Sequence, residues 1–333
     1  MHNRFDKNRR RVCREVRTET GKGPMIVDTD GRIPEPVTGI DSRPERPMAR
    51  REATDAGRRP ALAVPPGACD CHVHVFGPRD RFPLAADLAY TPAVAPVEAY
   101  VAVRQRLDIE RTVVIQPSAY GSDNACTLEA VAQLLPNARG IAVVGPAIPD
   151  AGLEQLHNAG IRGLRFSLVV KNAMRPEHLE AMAERIKSFG WHIQFRSTHR
   201  DLPELESHLQ RLPVDVCLDH LGGIPPDVPL THPAWRSLLR MLRRGRCWVK
   251  LSAPYQLSQM PGPGYADYAP QVRALVEAAP QRLLWGTNWP HPLVETKPDD
   301  TDLLDSLGEW IVEESLRRAI LVENPALLYG FPS

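Results

Sequence analysis

The chain has 333 residues, enough for one large domain or two small ones. Hydrophobic residues make up 43% and charged residues 24%, ordinary for a globular protein. A formal net charge of +1 gives no basis for a nucleic-acid or membrane partner, and no apolar run approaches the roughly 20 residues that span a bilayer.

Residues 1–66 are rich in Arg, Pro, Gly and Asp and lack apolar periodicity, as in Arg9-Arg10-Arg11 and Arg43-Pro44-Glu45-Arg46-Pro47. Dense charge with little hydrophobicity does not offset the entropy of ordering, so this segment reads as a disordered Arg/Pro-rich tail. It has no apolar stretch of signal-peptide type, and Met25 and Met48 offer alternative starts. The six cysteines are scattered, with only Cys69 and Cys71 close together. That pattern predicts reduced thiols in a cytoplasmic enzyme rather than a disulfide framework or zinc ribbon.

From residue 67 onward short apolar runs alternate with helix-like segments. The runs are Ala68–Phe76, Thr112–Ser118, Gly140–Ile148, Ile161–Leu168, Trp191–Ser197, Val214–Gly222, Cys247–Ala253 and Arg282–Pro290. Continuous apolar runs mark strands buried on both faces, hence a parallel sheet. Between them lie amphipathic stretches such as Pro176–Gly190, where Leu179, Met182, Ala183 and Ile186 recur at helical spacing and Gly190 ends the helix. Eight β-then-α units over residues 67–333 predict an α/β protein with a (β/α)8 TIM barrel, whose usual size is roughly 250 residues. A doubly wound sheet would carry a Gly-rich phosphate turn after its first strand, where this chain has His72 and His74.

Catalytic groups of a barrel project from the C-terminal ends of its strands. There the first strand carries His72 and His74, which stand two apart and so share one side of an ideal strand. The second ends in Gln116-Pro117-Ser118. The fourth carries Arg162 and Arg165, with Lys171 in the following loop. The fifth ends in Gln194-Phe195-Arg196, the sixth in Asp219-His220, and the eighth in Asn288-Trp289-Pro290-His291. Polar residues at nearly every strand end point to an active site. Lys250 on the seventh strand reads as filling the barrel floor, and His157, His178, His208 and His232 read as surface residues of helical segments.

The motif Asp70-Cys71-His72-Val73-His74-Val75-Phe76-Gly77-Pro78 resembles the first-strand signature of the amidohydrolase superfamily (amidohydrolase-related family 2). The resemblance is greatest to the branch of 2-pyrone-4,6-dicarboxylate lactonase and D-galactarolactone isomerase. It continues through Gly121-Ser122-Asp123-Asn124, Ile161-Arg162-Gly163-Leu164-Arg165-Phe166, Leu218-Asp219-His220-Leu221-Gly222 and Trp285-Gly286-Thr287-Asn288-Trp289-Pro290-His291, over residues 67–331. It implies that His72, His74 and His220 bind a lactone carbonyl and that Tyr90, Ser118 and Arg165 contact substrate, with Lys171 as a further contact; the strand-end reading adds Arg196 and His291 as candidate contacts. Three departures stand out: Asn288 occupies the place of a strand-eight Asp, Gly223 and Gln256 occupy the places of two arginines, and a third is matched by Lys171. The implied activity is hydrolysis of a small acidic lactone other than the pyrone dicarboxylate itself. Lactone isomerisation is the alternative, with a metal-dependent decarboxylase and a non-catalytic binding protein behind it. The expectation is a reaction without a metal cofactor. Otherwise His72, His74 and His220 would hold one divalent metal such as zinc or manganese. A homo-oligomer is left open.

Overall fold

The computed structural model describes residues 57–86, 90–169, 176–260 and 262–332. The eight apolar runs form eight strands: β1 (Cys69–Val73), β2 (Arg111–Ile115), β3 (Ala138–Ala142), β4 (Ile161–Ser167), β5 (His192–Arg196), β6 (Val216–Leu218), β7 (Cys247–Ser252) and β8 (Leu283–Gly286). All neighbours pair in parallel and in chain order, from β1 to β8. The seam between β8 and β1 is closed just past the strand ends. There Val73 bridges to Trp289, the His74 N–H donates to the Trp289 carbonyl at 2.8 Å, and the Asn288 N–H donates to the His72 carbonyl at 2.9 Å. The result is the expected (β/α)8 barrel.

Helices fill the connections: α1 (Val97–Arg106), α2 (Ala125–Leu134), α3 (Asp150–Asn158), α4 (Leu179–Ile186), α5 (Leu202–Leu209), α6 (Pro233–Arg243), α7 (Ala269–Ala278) and α8 (Asp300–Trp310), then α9 (Glu314–Arg318) and α10 (Asn324–Tyr329). The predicted helix at 176–190 is α4, flanked by single 3-10 turns. Its buried face is Leu179, Met182, Ala183 and Ile186, and Gly190 ends it at φ 67. In α6, His232 caps the N-terminus by accepting from the Ala234 N–H, Pro233 opens the first turn, and Trp235, Leu238, Met241 and Leu242 face the barrel. Fully burying such side chains stabilises by roughly 1.5–3 kcal/mol each.

The strands are shorter than the apolar runs. Only Val216–Leu218 of Val214–Gly222 pairs as a strand, because His220 and Leu221 turn into the left-handed region at φ 52 and 54. The third strand lies at Ala138–Ala142 rather than Gly140–Ile148. The expected tail falls outside the described residues as far as residue 56. From there the chain lies along α8: Arg58 pairs with Asp302 and Asp305, the Leu62 N–H donates to Asp305 at 3.0 Å, and Leu62 and Val64 pack on the core.

The lower, N-terminal end of the barrel is apolar. Cys69, Cys71, Val113, Ile115, Ile141, Cys217, Trp248 and Leu284 cluster there, with Tyr329 and Phe331 from the C-terminal segment. Arg139 and Arg111 lie over the Phe331 ring. The cysteines among the described residues are free and buried, and burial pushes the Cys69, Cys217 and Cys247 thiols up, which makes them inert.

Candidate active site

The opposite end of the barrel is polar. A cleft there is lined by His74, Tyr90, Ser118, Arg165, Arg196, Gln256, Asn288, Pro292 and Leu293. Lys171 lies outside the described residues. His291 stands behind the cleft with both ring nitrogens engaged: Nδ1 lies 2.9 Å from the Tyr255 hydroxyl and Nε2 lies 3.0 Å from Asp300. Arg162, on the outer side of β4, donates to the His157 carbonyl.

His72, His74 and His220 converge. The β1–β2 register shifts between Asp70 and Val73, which re-aims the end of the strand. The Nε2 atoms of His72 and His74 lie 3.2 Å apart, and the His220 ring centroid lies 4.7 Å from that of His72. Burial, the largest influence, holds all three imidazoles well below their ordinary range, so they are neutral at pH 7. His74 Nδ1 is 2.9 Å from the Ile115 carbonyl, which can only accept, so the proton is on Nδ1 and Nε2 carries a lone pair. Neutral His74 therefore offers the cleft an acceptor rather than the carbonyl-binding donor implied by the resemblance. His220 Nδ1 meets the Ser252 hydroxyl at 2.9 Å, while its Nε2 is buried with no hydrogen-bond partner.

Under the histidines lies a charged layer that sequence reasoning largely missed. Asp219 is fully buried, with Oδ1 3.3 Å from His72 Nδ1 and 3.7 Å from Lys250 Nζ, and Oδ2 3.6 Å from Arg165 and 3.1 Å from the Gln194 amide. Burial opposes the ionised form of Asp219, but His72 and Lys250 outweigh it and hold the carboxyl well below the usual range. Lys250, expected on the floor, sits in this layer and donates to Gln194 Oε1 at 2.7 Å. The Asp-His pair at the end of the sixth strand was the available signal for Asp219. Asp70 is a second buried carboxylate, and it clamps β1 to β8. Its Oδ1 accepts from the His72 and Thr287 N–H groups and its Oδ2 from the Thr287 hydroxyl at 2.6 Å. Burial pushes Asp70 up to about 6 against these bonds.

Arg165 donates to the Gln116 carbonyl at 3.1 Å, and Arg196 donates to Gln256 Oε1 at 3.1 Å. Burial and the neighbouring Arg165 pull the Arg196 guanidinium below its ordinary value. Gly223, at φ +66, faces the Ser197 carbonyl: a Cβ would lie 2.2 Å from that oxygen, so the backbone leaves no room for a side chain there.

The donor set can be tested against a divalent ion. Ligand atoms of His72, Asp219 and His220 lie within 4.8 Å of one another, and neutral imidazoles beside an ionised carboxylate suit zinc or manganese. Among the described residues, these, with His74 Nε2 alongside, could hold an ion, which would supply Lewis-acid polarisation of a carbonyl.

The chain belongs to the amidohydrolase family: the family model described as "Amidohydrolase" matches residues 69–331. It is 38% identical to the 2-pyrone-4,6-dicarboxylate hydrolase of Comamonas testosteroni over 81% of this chain and 92% of that one. It is 33% identical to a 4-sulfomuconolactone hydrolase of Hydrogenophaga intermedia over 81% and 90%. It is 31% identical to the D-galactarolactone isomerase of Agrobacterium fabrum over 82% and 94%. Among solved structures, an apo protein of Agrobacterium tumefaciens superposes with a TM-score of 0.78 at 30% identity, covering 83% of this chain and 98% of that one.

Proposed function

We propose that this amidohydrolase hydrolyses a small lactone bearing one or two carboxylate or sulfonate groups. The observation that carries this reading is one cleft lined by both Arg165 and Arg196 and by His74 and Asn288. Adjacent guanidiniums repel unless an anion lies between them, and Arg engages carboxylate or sulfonate through paired N–H bonds. The names of the relatives point the same way, since they describe enzymes of a pyrone dicarboxylate, a sulfomuconolactone and a galactarolactone. The arginine that the resemblance expects at Gly223 has no space, which favours a lactone other than the pyrone dicarboxylate.

His220 Nε2 holds the carbonyl oxygen, His72 turns its Nδ1–H to Asp219, and Tyr90, Ser118, Arg165 and Arg196, with Lys171, bind the rest of the substrate. As water attacks the carbonyl carbon, the charge developing on oxygen faces the neutral His220 donor, backed by Lys250 and Arg165. Asn288 holds the water, and the bare Nε2 of His74 takes its proton. The ring C–O bond then breaks, His74 returns the proton to the leaving oxygen, and the new acid ionises, so each turnover releases one proton at pH 7. No tightly bound ion is required in this scheme, because Lys250 and Arg165 already share the charge of Asp219 that a cation would need.

A panel of acidic lactones followed by proton release and NMR tests the reading. Ring opening with one proton per turnover, unchanged after chelation, is expected. Activity lost to chelator and restored by zinc or manganese overturns the metal-free part. A new lactone formed without acid overturns hydrolysis in favour of isomerisation, the second reading, which is supported by an Asn288 amide that cannot accept a proton.

A further inference from the structure

Behind the cleft wall lies a chain of four polar side chains that the scheme above leaves mostly unused. At its inner end is Asp300 in the first turn of α8, buried, with Oδ2 3.7 Å from Arg106 and Oδ1 3.0 Å from His291 Nε2. His291 Nδ1 is 2.9 Å from the Tyr255 hydroxyl, and the Tyr255 oxygen is 2.8 Å from Asn288 Nδ2. We propose that Tyr255, His291 and Asp300 are positioning residues that set the orientation of the Asn288 amide, turning Oδ1 into the cleft as an acceptor for the attacking hydroxyl. The proposal rests on the reading of Asn288 as the residue that holds the attacking oxygen.

The direction of each link follows from proton counting. A carboxylate only accepts, so His291 Nε2 carries the hydrogen. With one ring proton spent there, Nδ1 must accept, and the Tyr255 O–H donates to it. Burial pushes the Tyr255 phenol up, so that proton stays on oxygen. Its single hydrogen is then spent, and the Tyr255 oxygen can only accept. The amide must present Nδ2 to it, which leaves Oδ1 for the cleft that Asn288 lines. A reversed amide would set two buried oxygens face to face with no hydrogen between them. A doubly protonated His291 would keep its bond to Asp300 but reverse the other two links and turn Nδ2 inward, an arrangement the test below separates.

The backbone carries the same message. Ala253, just before the Tyr255 turn, Asn288 and His291 all adopt the left-handed region, at φ 48, 65 and 60. Asn and His tolerate that region better than most side chains, yet three such residues around one chain are strained conformations held by their surroundings.

The test is Tyr255→Phe, which removes the hydroxyl and keeps the ring. On a lactone turned over in the panel, kcat should fall about tenfold or more with KM within about twofold. Asn288→Ala added to Tyr255→Phe should cost nothing further, and Asp300→Asn, which keeps an acceptor oxygen for His291, should lose less than Asp300→Ala. In protein labelled with ¹⁵N at asparagine, one Asn288 side-chain proton should be shifted and slow to exchange. Tyr255→Phe should abolish that signature while the other asparagine signals stay in place. Unchanged kcat in Tyr255→Phe, additive losses in the double variant, or an Asn288 signal indifferent to Tyr255 overturns the proposal. If no lactone is turned over, the proposed function fails, and the NMR signature still decides the chain of bonds on its own.

Discussion

The two ends of the barrel are built from the same strands and differ completely in chemistry. β5 carries His192 low and Gln194 and Arg196 high; β7 carries Trp248 low and Lys250 and Ser252 high; and at β6 the chain passes from Cys217 to Asp219 just beyond the strand. Two residues along a strand, about 7 Å, separate an apolar plug from a layer of charges. The lower end and the outer helical layer stabilise the fold. The upper end instead holds Asp219, Lys250 and three neutral histidines in burial, an arrangement that costs stability unless every group keeps its partner.

Removing one partner at the top should therefore have the largest effect. Asp219→Ala leaves Lys250 and Arg165 unpaired in the interior. By the general cost of breaking a buried pair it should destabilise by about 3–5 kcal/mol and nearly abolish turnover, as read by chemical denaturation and initial rates. A variant of wild-type stability with ordinary kcat would show the charged layer to be incidental.

Acid should sharpen the contrast next. His72, His74 and His220 at the top and His192 below are all buried, with burial as the main influence lowering each, and His192 lies at about 3. A depressed folded value means that the unfolded chain takes up protons first. Stability is therefore full above the ordinary value of 6.5 and falls as pH drops through it, by about 1.4 kcal/mol per pH unit for each histidine. The His192 ring meets Tyr329 edge-on and does not line the cleft. His192→Leu should flatten the acid limb of the stability curve by one histidine's share and leave kcat/KM intact. An equal loss of kcat/KM would mean that the lower end takes part in the chemistry.

How much of this was legible before the structure depended on whether the signal was local. The alternation of apolar runs and amphipathic stretches carried the barrel, and strand-end polarity carried His72, His74, Arg165, Arg196 and His220. The runs overshot where left-handed residues such as His220 and Leu221 end a strand ahead of the glycines that follow, Gly222 and Gly223. Lys250 was read too low because alternation along β7 says which residues point inward but not how high they stand. That depends on register with β6 and β8. Tyr255, His291 and Asp300 meet across a loop, a strand end and a helix start, so nothing near any one of them in sequence marks the group.

A smaller effect belongs to Arg196. It is held in the described residues by one hydrogen bond to Gln256, whereas Arg165 is tied to both Gln116 and Asp219. Arg196→Met should raise KM for an acidic lactone about tenfold, the scale of one charge-assisted contact, with kcat changed less. A fall in kcat at constant KM would move Arg196 from substrate binding to the reacting carbonyl.

The central claim is that water supplies the attacking oxygen in this cleft. Turnover of an acidic lactone in ¹⁸O-enriched water, read by mass spectrometry, tests it directly. The account predicts one heavy oxygen in the new carboxylate of every product molecule. A product lactone that carries none would contradict it, because the nucleophile would then be a hydroxyl of the substrate itself.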